Sequence, residues 1–479
     1  MTGPRSRRAA AIRRTRCSAA RSAIATRRCA ATSCRGNGKA AAPDRTVITP
    51  SDRDDGTAAA LVEPAPGRTA VTPAGGRAKP HPTALSVGAL LTALVALGQI
   101  STSIYIPSMP SLVQVFDTGT AEVSWTLSSF LLGFAVCQLI YGPLSDRFGR
   151  RPVLLTGLAL YVAVSVACVF VTTIDGLIIG RLLQGMTACA GPVLGRAIIR
   201  DVYGAERSAT VFAYVGVALA VSPAVAPMIG GYLQTWFGWQ AAFVFLAAVG
   251  VLLLVLVLRL LAETNRHRIP GSLRLGRLAA AHATLLRSGR FHGYVLAVAF
   301  VFAGLMAFTA GAPFVFIDVL GLSPERFGML LVFNVAGFLA GSLAAGRFTQ
   351  RMGLDRLLLV GVSVSLLGGV AMLAPALAGT ISVAVIVGPG AVFSFGMGIV
   401  LPGGMAGAMA PYPTIAGAAS AVLGFVQMLV SAAAAMLAGA FTPASQLPMA
   451  AVIAGCTLMG FLAFLLLVWC RPPHRRGRR

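Results

Sequence analysis

The sequence predicts an all-α membrane protein with twelve transmembrane helices in two pseudo-repeated bundles of six. The 479 residues are 56% hydrophobic and 11% charged, with a mean hydropathy of +0.80, which is too apolar to cover a water-soluble domain. Hydrophobic runs of about 20 residues, each long enough to cross a bilayer as a helix, recur from Thr83 onward. A charged motif also occurs once in each half of the chain, which indicates an internal duplication.

The hydrophobic runs divide the chain into five predicted parts. These are a disordered basic tail (1–82), a first six-helix bundle (83–261), a linker (262–291), a second six-helix bundle (292–470) and a short basic tail (471–479). The predicted spans are 84–106, 121–142, 152–173, 176–200, 208–233, 239–261, 292–318, 325–347, 356–377, 380–403, 412–439 and 446–470.

Arginine is concentrated in alternate connections, and this predicts the orientation of the chain. The connections at 143–151, 201–207, 262–291 and 348–355 and the tail at 471–479 contain Arg, whereas those at 107–120, 174–175, 234–238, 378–379 and 440–445 contain no Lys or Arg. The positive-inside bias then places both termini in the cytoplasm of a cell whose inner (plasma) membrane holds the protein.

The net charge of +24 does not indicate a nucleic-acid partner. The first 80 residues hold 16 Lys/Arg and 5 Asp/Glu, and most of the remaining basic residues flank hydrophobic runs on one side of the membrane. The eight cysteines lack zinc-ligand spacing with histidine, so we expect no disulfide, no metal and no cofactor. The expected partners are the lipid bilayer and a small solute, and the expected state is a monomer.

The charged motif covers residues 142–152 and reads Gly-Pro-Leu-Ser-Asp-Arg-Phe-Gly-Arg-Arg-Pro. We expect its glycines to permit a tight reversal and close helix approach, and its aspartate to accept from amides that open the next helix. Its arginines would hold the bend at the membrane surface. The residues are Gly142, Gly149, Asp146, Arg147, Arg150 and Arg151, and four positions recur 204 residues later as Gly346, Gln350, Arg351 and Gly353.

The fourth predicted span contains Arg181, Gln184 and Gly185. A guanidinium inside a hydrophobic segment costs at least about 2.5 to 3.5 kcal/mol unless it is paired or solvated, so a cavity or a partner is expected around Arg181. Because Arg181 is near the start of the span, its side chain could instead extend to the membrane surface. Asp201, which follows this span, could pair with Arg147 or Arg151.

Prolines, glycines and uncharged polar residues in other spans suggest kinks and a solute pathway. Pro223 and Pro227 remove backbone donors in the fifth span, and Gly230 and Gly231 permit close crossing of helices. Polar residues within spans can line a cavity or bond between helices. The candidate lining residues are Ser103, Tyr105, Gln138 and Asn334.

Taken together, these motifs resemble the major facilitator superfamily. The motif at 142–151 is similar to its loop between spans two and three, and Arg-x-x-Gln-Gly at 181–185 to its fourth-span motif. The segments at 196–201 and 101–110 resemble the Bcr/CflA group of multidrug and chloramphenicol-type exporters, and the one at 222–231 resembles an exporter motif.

The resemblance implies transport by alternating access, with a drug exported in exchange for protons. It implies proton coupling by Arg181 and Gln184. By position rather than by resemblance, Asp318 and Glu122 at the external rim are candidate outer protonation sites, although acids at the rim are more often simply solvated. It also implies that Asp146 and Arg147 latch one state through contacts between the halves, in a gating set that includes Asp201 and Arg351.

One departure from the Bcr/CflA pattern keeps an alternative open. Ser103 stands where that group has an intramembrane aspartate, and serine cannot carry a proton. A facilitator or metabolite exporter that is not driven by protons is therefore the second hypothesis. An enzyme is not expected, because the spans offer no paired carboxylates, and His267, His282 and His292 lie in or beside the linker.

Overall fold

The computed structural model describes residues 84–265, 283–440 and 445–470, and it contains no strand within these ranges. Twelve helical segments of this part are long and apolar enough to cross a membrane, which confirms the predicted number. We number them span one to span twelve: Ser86–Val115, Thr120–Phe148, Arg150–Val169, Ile174–Tyr203, Tyr214–Phe237, Gln240–Leu260, Gly289–Val319, Pro324–Met352, Leu354–Leu377, Val383–Met409, Ala416–Gly439 and Leu447–Trp469. The tails and residues 266–282 of the linker lie outside the described residues.

Spans one to six form the first half of the molecule and spans seven to twelve form the second. We call the membrane face that carries the turns at Gly149 and Gly353 the basic face, and the other the opposite face. A single cluster of buried apolar side chains includes residues of both halves, such as Leu127 and Leu423.

Three spans depart from a simple α-helix. Span one consists of the helix Ala84–Ser103, a 3₁₀ turn at Ile106–Ser108 and the helix Met109–Val115, so the chain remains helical beyond the predicted end at 106. Spans seven and twelve each end in a π-helical turn, Phe314–Val319 and Leu465–Trp469. Such turns change the direction of side chains at a helix end.

Spans four and five are joined by helix rather than by a loop. One helix runs over Ala190–Phe237, so the connection predicted at 201–207 is present between Tyr203 and Tyr214 but is helical. The chain reverses within this helix, because Tyr203 faces Gly88 near the start of span one, whereas Gly230 faces the carbonyl of Ile104, next to the end of the first helix of that span.

The charged bends are shorter than predicted. Helices end at Phe148 and Met352, and the next helices begin at Arg150 and Leu354. The turns are therefore single glycines, Gly149 with φ +104° and Gly353 with φ +78°. A side chain at such φ values is strained, which explains why glycine stands at both positions.

The two halves meet along what we call the seam, where spans two and eleven, and spans five and eight, cross closely. A Cβ added at Gly231 would lie 2.7 Å from the carbonyl oxygen of Pro324, and one at Gly328 would lie 2.9 Å from the Cα of Met228. Gly439 similarly faces Ser124. These contacts lie toward the opposite face. Because glycine has no side chain, the backbones of the two halves can approach closely at that face.

Candidate functional site

The most unusual side chain in the structure is Arg181 of span four, which is fully buried. Its guanidinium carbon lies 4.2 Å from the ring centroid of Tyr105 and 4.3 Å from that of Phe130. Ring faces attract cations, and more strongly when water is excluded. The alternative in which Arg181 extends to the membrane surface is therefore wrong.

Hydrogen bonds fix the orientation of this guanidinium. Its Nη1 donates to Gln184 Oε1 at 2.6 Å and to the Ser101 carbonyl at 3.2 Å, and Gln184 Nε2 donates to Ser165 Oγ at 2.8 Å. Arg181 and Gln184 can bond because residues three apart share one face of a helix. Nε and Nη2 of Arg181 have no hydrogen-bond partner in the part of the chain that the structure describes.

The surrounding hydroxyl groups belong to the same half. Ser101 Oγ lies 2.6 Å from the Tyr161 hydroxyl, and the Tyr105 hydroxyl lies 3.0 Å from Thr126 Oγ1. We call the set Arg181, Gln184, Ser101, Ser165, Tyr105 and Phe130 the arginine cluster. Among the described residues no carboxylate pairs with Arg181, so rings, an amide and a carbonyl oxygen are what stabilise this charge.

At the basic face, Arg150 connects the bend to span four. Its Nη1 lies 2.7 Å from Asp146 Oδ1, its Nε donates to Asp201 Oδ2 at 3.2 Å, and it also bonds Ser145 Oγ. We call Asp146, Arg150, Asp201 and Glu263 the bend cluster. Asp201 was expected to pair with Arg147 or Arg151, and that pairing is wrong.

Glu263 follows span six in the chain, and its carboxylate lies against the start of span three. Its carboxylate oxygens accept from the backbone amides of Arg150 at 3.0 Å and Arg151 at 3.2 Å. These amides have no partner within the helix, and an anion at a helix start is favourable. Asp146 was expected in this role; the structure gives it to Glu263.

Further bonds fasten the end of span six to the bend. Asn265 Nδ2 donates to the carbonyls of Ser145 and Asp146, each at 3.2 Å, and Arg151 Nη2 donates to the Leu258 carbonyl at 3.0 Å. Among the described residues no hydrogen bond or ion pair joins Asp146 or Arg147 to the second half. The contact between halves expected of this bend is thus not present in this structure.

The two glycines of the first bend differ in their surroundings. Gly149 forms the turn as expected, whereas Gly142 lies within span two, and a Cβ added there would meet nothing within 4 Å. The expectation that Gly142 permits a reversal or a close approach is therefore wrong.

The contacts found for the four candidate solute-binding residues fall in three places. Ser103 and Tyr105 lie together at the end of the first helix of span one, where Ser103 Oγ accepts from Gln99 Nε2 at 3.3 Å. Gln138 is buried at the seam against Gly424 of span eleven, and Asn334 of span eight faces Gly390 of span ten. The side-chain oxygens of Gln138 and Asn334 have no hydrogen-bond partner among the described residues.

The prolines and glycines singled out in span five have different surroundings. Pro223 and Pro227 lie inside the continuous helix, so their role in a kink stays a prediction. Gly230 faces the Ile104 carbonyl within the first half, whereas Gly231 faces Pro324 across the seam.

Two candidate residues of the second half, Asp318 and Arg351, are exposed and do not belong to the arginine cluster. Asp318 is in the π-helical turn that ends span seven at the opposite face, and Arg351 is in the last turn of span eight at the basic face. The charged pair at this basic end is instead Arg290 with Asp355, which also accepts from the Tyr294 hydroxyl.

The sequence contained a signal for the residues that were missed. Carboxylates are few at the face rich in arginine, and Asp146, Asp201, Glu263 and Asp355 each have a structural partner there. Of these four, Glu263 and Asp355 were not among the predicted site residues. Phe130 and Ser165, in contrast, carry no pattern that marks them as neighbours of Arg181. No described group of three or more His, Cys, Asp and Glu side chains could hold a metal.

Two helical bundles that share a glycine seam, with a charged bend at one face and a buried arginine inside one bundle, are typical of a membrane transporter. The family model of the Major Facilitator Superfamily matches residues 91–435. The chain therefore belongs to the Major Facilitator Superfamily.

Similar proteins agree with this membership. The chain is 32% identical to "Multidrug resistance protein D" of Escherichia coli (strain K12) over 380 residues, which are 79% of the chain and 94% of that protein. It is 29% identical over 382 residues to "Bicyclomycin resistance protein homolog" of Haemophilus influenzae, covering 78% of the chain and 94% of that protein. The fold is similar to that of the xylose transporter XylE from E. coli, with a TM-score of 0.64 and 16% identity, covering 82% of the chain and 99% of that structure.

Proposed function

We propose that this transporter exports small amphipathic drugs or antibiotics of the chloramphenicol or bicyclomycin type across the cell inner membrane, in exchange for protons. The two relatives named for multidrug and bicyclomycin resistance, similar over most of their length, support this substrate class. We further propose that the basic face is cytoplasmic, with both termini on that side and the monomer as the working unit.

The seam is the observation that carries the mechanism. Its glycines bring the halves together at the opposite face, through Gly231 with Pro324 and Gly439 with Ser124. The halves would rock about the seam, so that a solute site between them opens to one face at a time. In this arrangement, with the basic face in the cytoplasm, the contacts of the seam at the opposite face would correspond to a state closed toward the outside.

The arginine cluster supports a coupling role inside the first half. Arg181 keeps two NH groups without partners, and Gln184 connects its guanidinium to Ser165 of span three. A displacement of span one or three would alter the environment of this charge, because Ser101 and Ser165 belong to those spans. Asp318 would provide the outer protonation site.

The bend cluster supports a gating role. It ties the ends of spans two, four and six to the start of span three, so the basic end of the first half can move as one body. Asp146 and Arg147 would contact the second half only when the halves close at the basic face, with Arg351 at the corresponding bend.

A facilitator without proton coupling is the second candidate, and Ser103 favours it. This side chain lies beside Gln99 and cannot titrate. Cells that produce the protein should accumulate less chloramphenicol than cells without it. Loss of this difference after a protonophore supports exchange for protons, whereas a difference that persists supports the facilitator. Equal accumulation with and without the protein, across a panel of amphipathic drugs, would contradict drug export.

Ser103→Asp provides a sharper test of the same question. A carboxylate at this position should increase the dependence of export on the proton gradient or improve the export of cationic drugs, because it supplies both a proton carrier and a counter-charge. Ser111→Asp, on the part-buried helix that follows, is the matched control. Unchanged proton dependence and cation export in Ser103→Asp would argue against a coupling site at the end of the first helix of span one.

A further inference from the structure

A cleft at the basic face of the second half is not used by the proposed transport pathway. Its volume is about 550 Å³, within the range of sites that hold small ligands. The start of span seven, the turn between spans eight and nine, and the ends of spans ten and twelve form its walls. The residues on which the inference rests are Arg290, Tyr294, Met352, Asp355, Arg356 and Trp469.

The charge in this cleft is positive. The carboxylate of Asp355 is already engaged by the guanidinium of Arg290 and by the hydroxyl of Tyr294. Arg356 is exposed, and no hydrogen bond or ion pair of its side chain is found among the described residues. The cleft therefore offers one free guanidinium, that of Arg356, and a second, that of Arg290, which is paired with Asp355.

Two helices also begin at this cleft. The helix of span seven starts at Gly289 and that of span nine at Leu354, and both are longer than 20 residues. The unpaired amides at a helix start favour an anion, and guanidinium groups bind phosphate oxygens strongly. The ligand chemistry that matches the cleft is therefore a phosphate group.

The remaining wall favours a phosphate that carries acyl chains. Trp469 is 44% exposed and Met352 is 39% exposed, and both lie where spans twelve and eight end at the basic face. Tryptophan is enriched at the level of lipid headgroups, and basic pockets between helix ends at this depth bind anionic headgroups. A soluble phosphate would leave these apolar surfaces uncovered.

We infer that this cleft binds the headgroup of an anionic phospholipid, with Arg356 and Arg290 at the phosphate and Trp469 against the glycerol and upper acyl chain. The lipid would join the ends of spans seven, nine and twelve at the membrane surface. This site is separate from the solute pathway and does not depend on the proposed substrate.

The test measures lipid binding to the purified full-length protein in detergent. Phosphatidylglycerol should raise the midpoint of thermal unfolding more than phosphatidylcholine does, and native mass spectrometry should detect more bound phosphatidylglycerol. In Arg356→Gln and Trp469→Ala, at least half of this selective shift should be lost. Arg347→Gln, which removes the same charge from the same face outside the cleft, should keep it.

Three results would overturn the inference. The first is an undiminished phosphatidylglycerol shift in both Arg356→Gln and Trp469→Ala. The second is an equal loss in Arg347→Gln, because the lipid would then respond to surface charge alone. The third is that inorganic phosphate alone reproduces the whole shift, which would assign the cleft to a soluble anion.

Discussion

At the scale of single residues, Arg181 combines complete burial with the lack of a carboxylate partner among the described residues. A charge in this position opposes folding, since removal from water costs at least about 2.5 to 3.5 kcal/mol by insertion scales. Stacking on Tyr105 and Phe130 offsets part of that cost. A side chain that weakens the fold and is nevertheless held by several spans is expected to serve transport.

Replacement of Arg181 by methionine separates stability from transport. Arg181→Met should leave the midpoint of thermal unfolding unchanged or raise it, because an apolar side chain of similar length replaces a buried unpaired charge. Export of the drug should fall at least tenfold. Arg326→Met, at an exposed arginine near the start of span eight, is the control and should change neither quantity. An active Arg181→Met protein would contradict a coupling role.

At the scale of helices and turns, Glu263 stabilises the start of span three from a distant part of the chain. Glu263→Ala should lower the free energy of unfolding by about 0.5 to 2 kcal/mol, as loss of a helix cap does. Thermal unfolding in detergent measures the change. Asp175→Ala removes a first-turn acid at the opposite face and is the control. A smaller loss in Glu263→Ala than in Asp175→Ala would refute the capping role.

The seam makes a second prediction at this scale. Gly328→Ala should slow transport, because the added methyl group would meet the backbone of Met228 and keep the halves apart at the opposite face. A cysteine at Glu325 should then react faster with a membrane-impermeant maleimide. Gly455→Ala is the matched control, since its Cβ would meet nothing within 4 Å. Equal rates in the two variants would show that closure does not depend on this glycine.

At the scale of the whole molecule, we expect the two charged bends to lie on the same side of the membrane. Single cysteines at Arg147 and Arg351, in a protein whose native cysteines are replaced by serine, should be labelled from the cytoplasmic side. A cysteine at Glu122 should be labelled from the outside, because span two separates it from Arg147. Labelling of Arg147→Cys and Arg351→Cys from different sides would exclude a repeat of two bundles with six spans each.

The sequence predicted the architecture well because each span has its own hydrophobic run, which is a local property. Arg181 and Gln184 could be paired from their spacing alone. The partners of Arg150 could not, because Asp201 and Glu263 are 51 and 113 residues away and only the fold brings them together. Gly142 was misassigned because glycine in a charged motif resembles a turn, whereas the helix of span two continues past it to Phe148.

The single-glycine turns at Gly149 and Gly353 leave no spare chain between the helices they join. Spans two and three, and likewise spans eight and nine, can tilt only as coupled pairs. A few residues inserted after Gly149 would let each member of a pair respond to force independently. These two turns therefore set a fixed distance between the ends of the spans that they join.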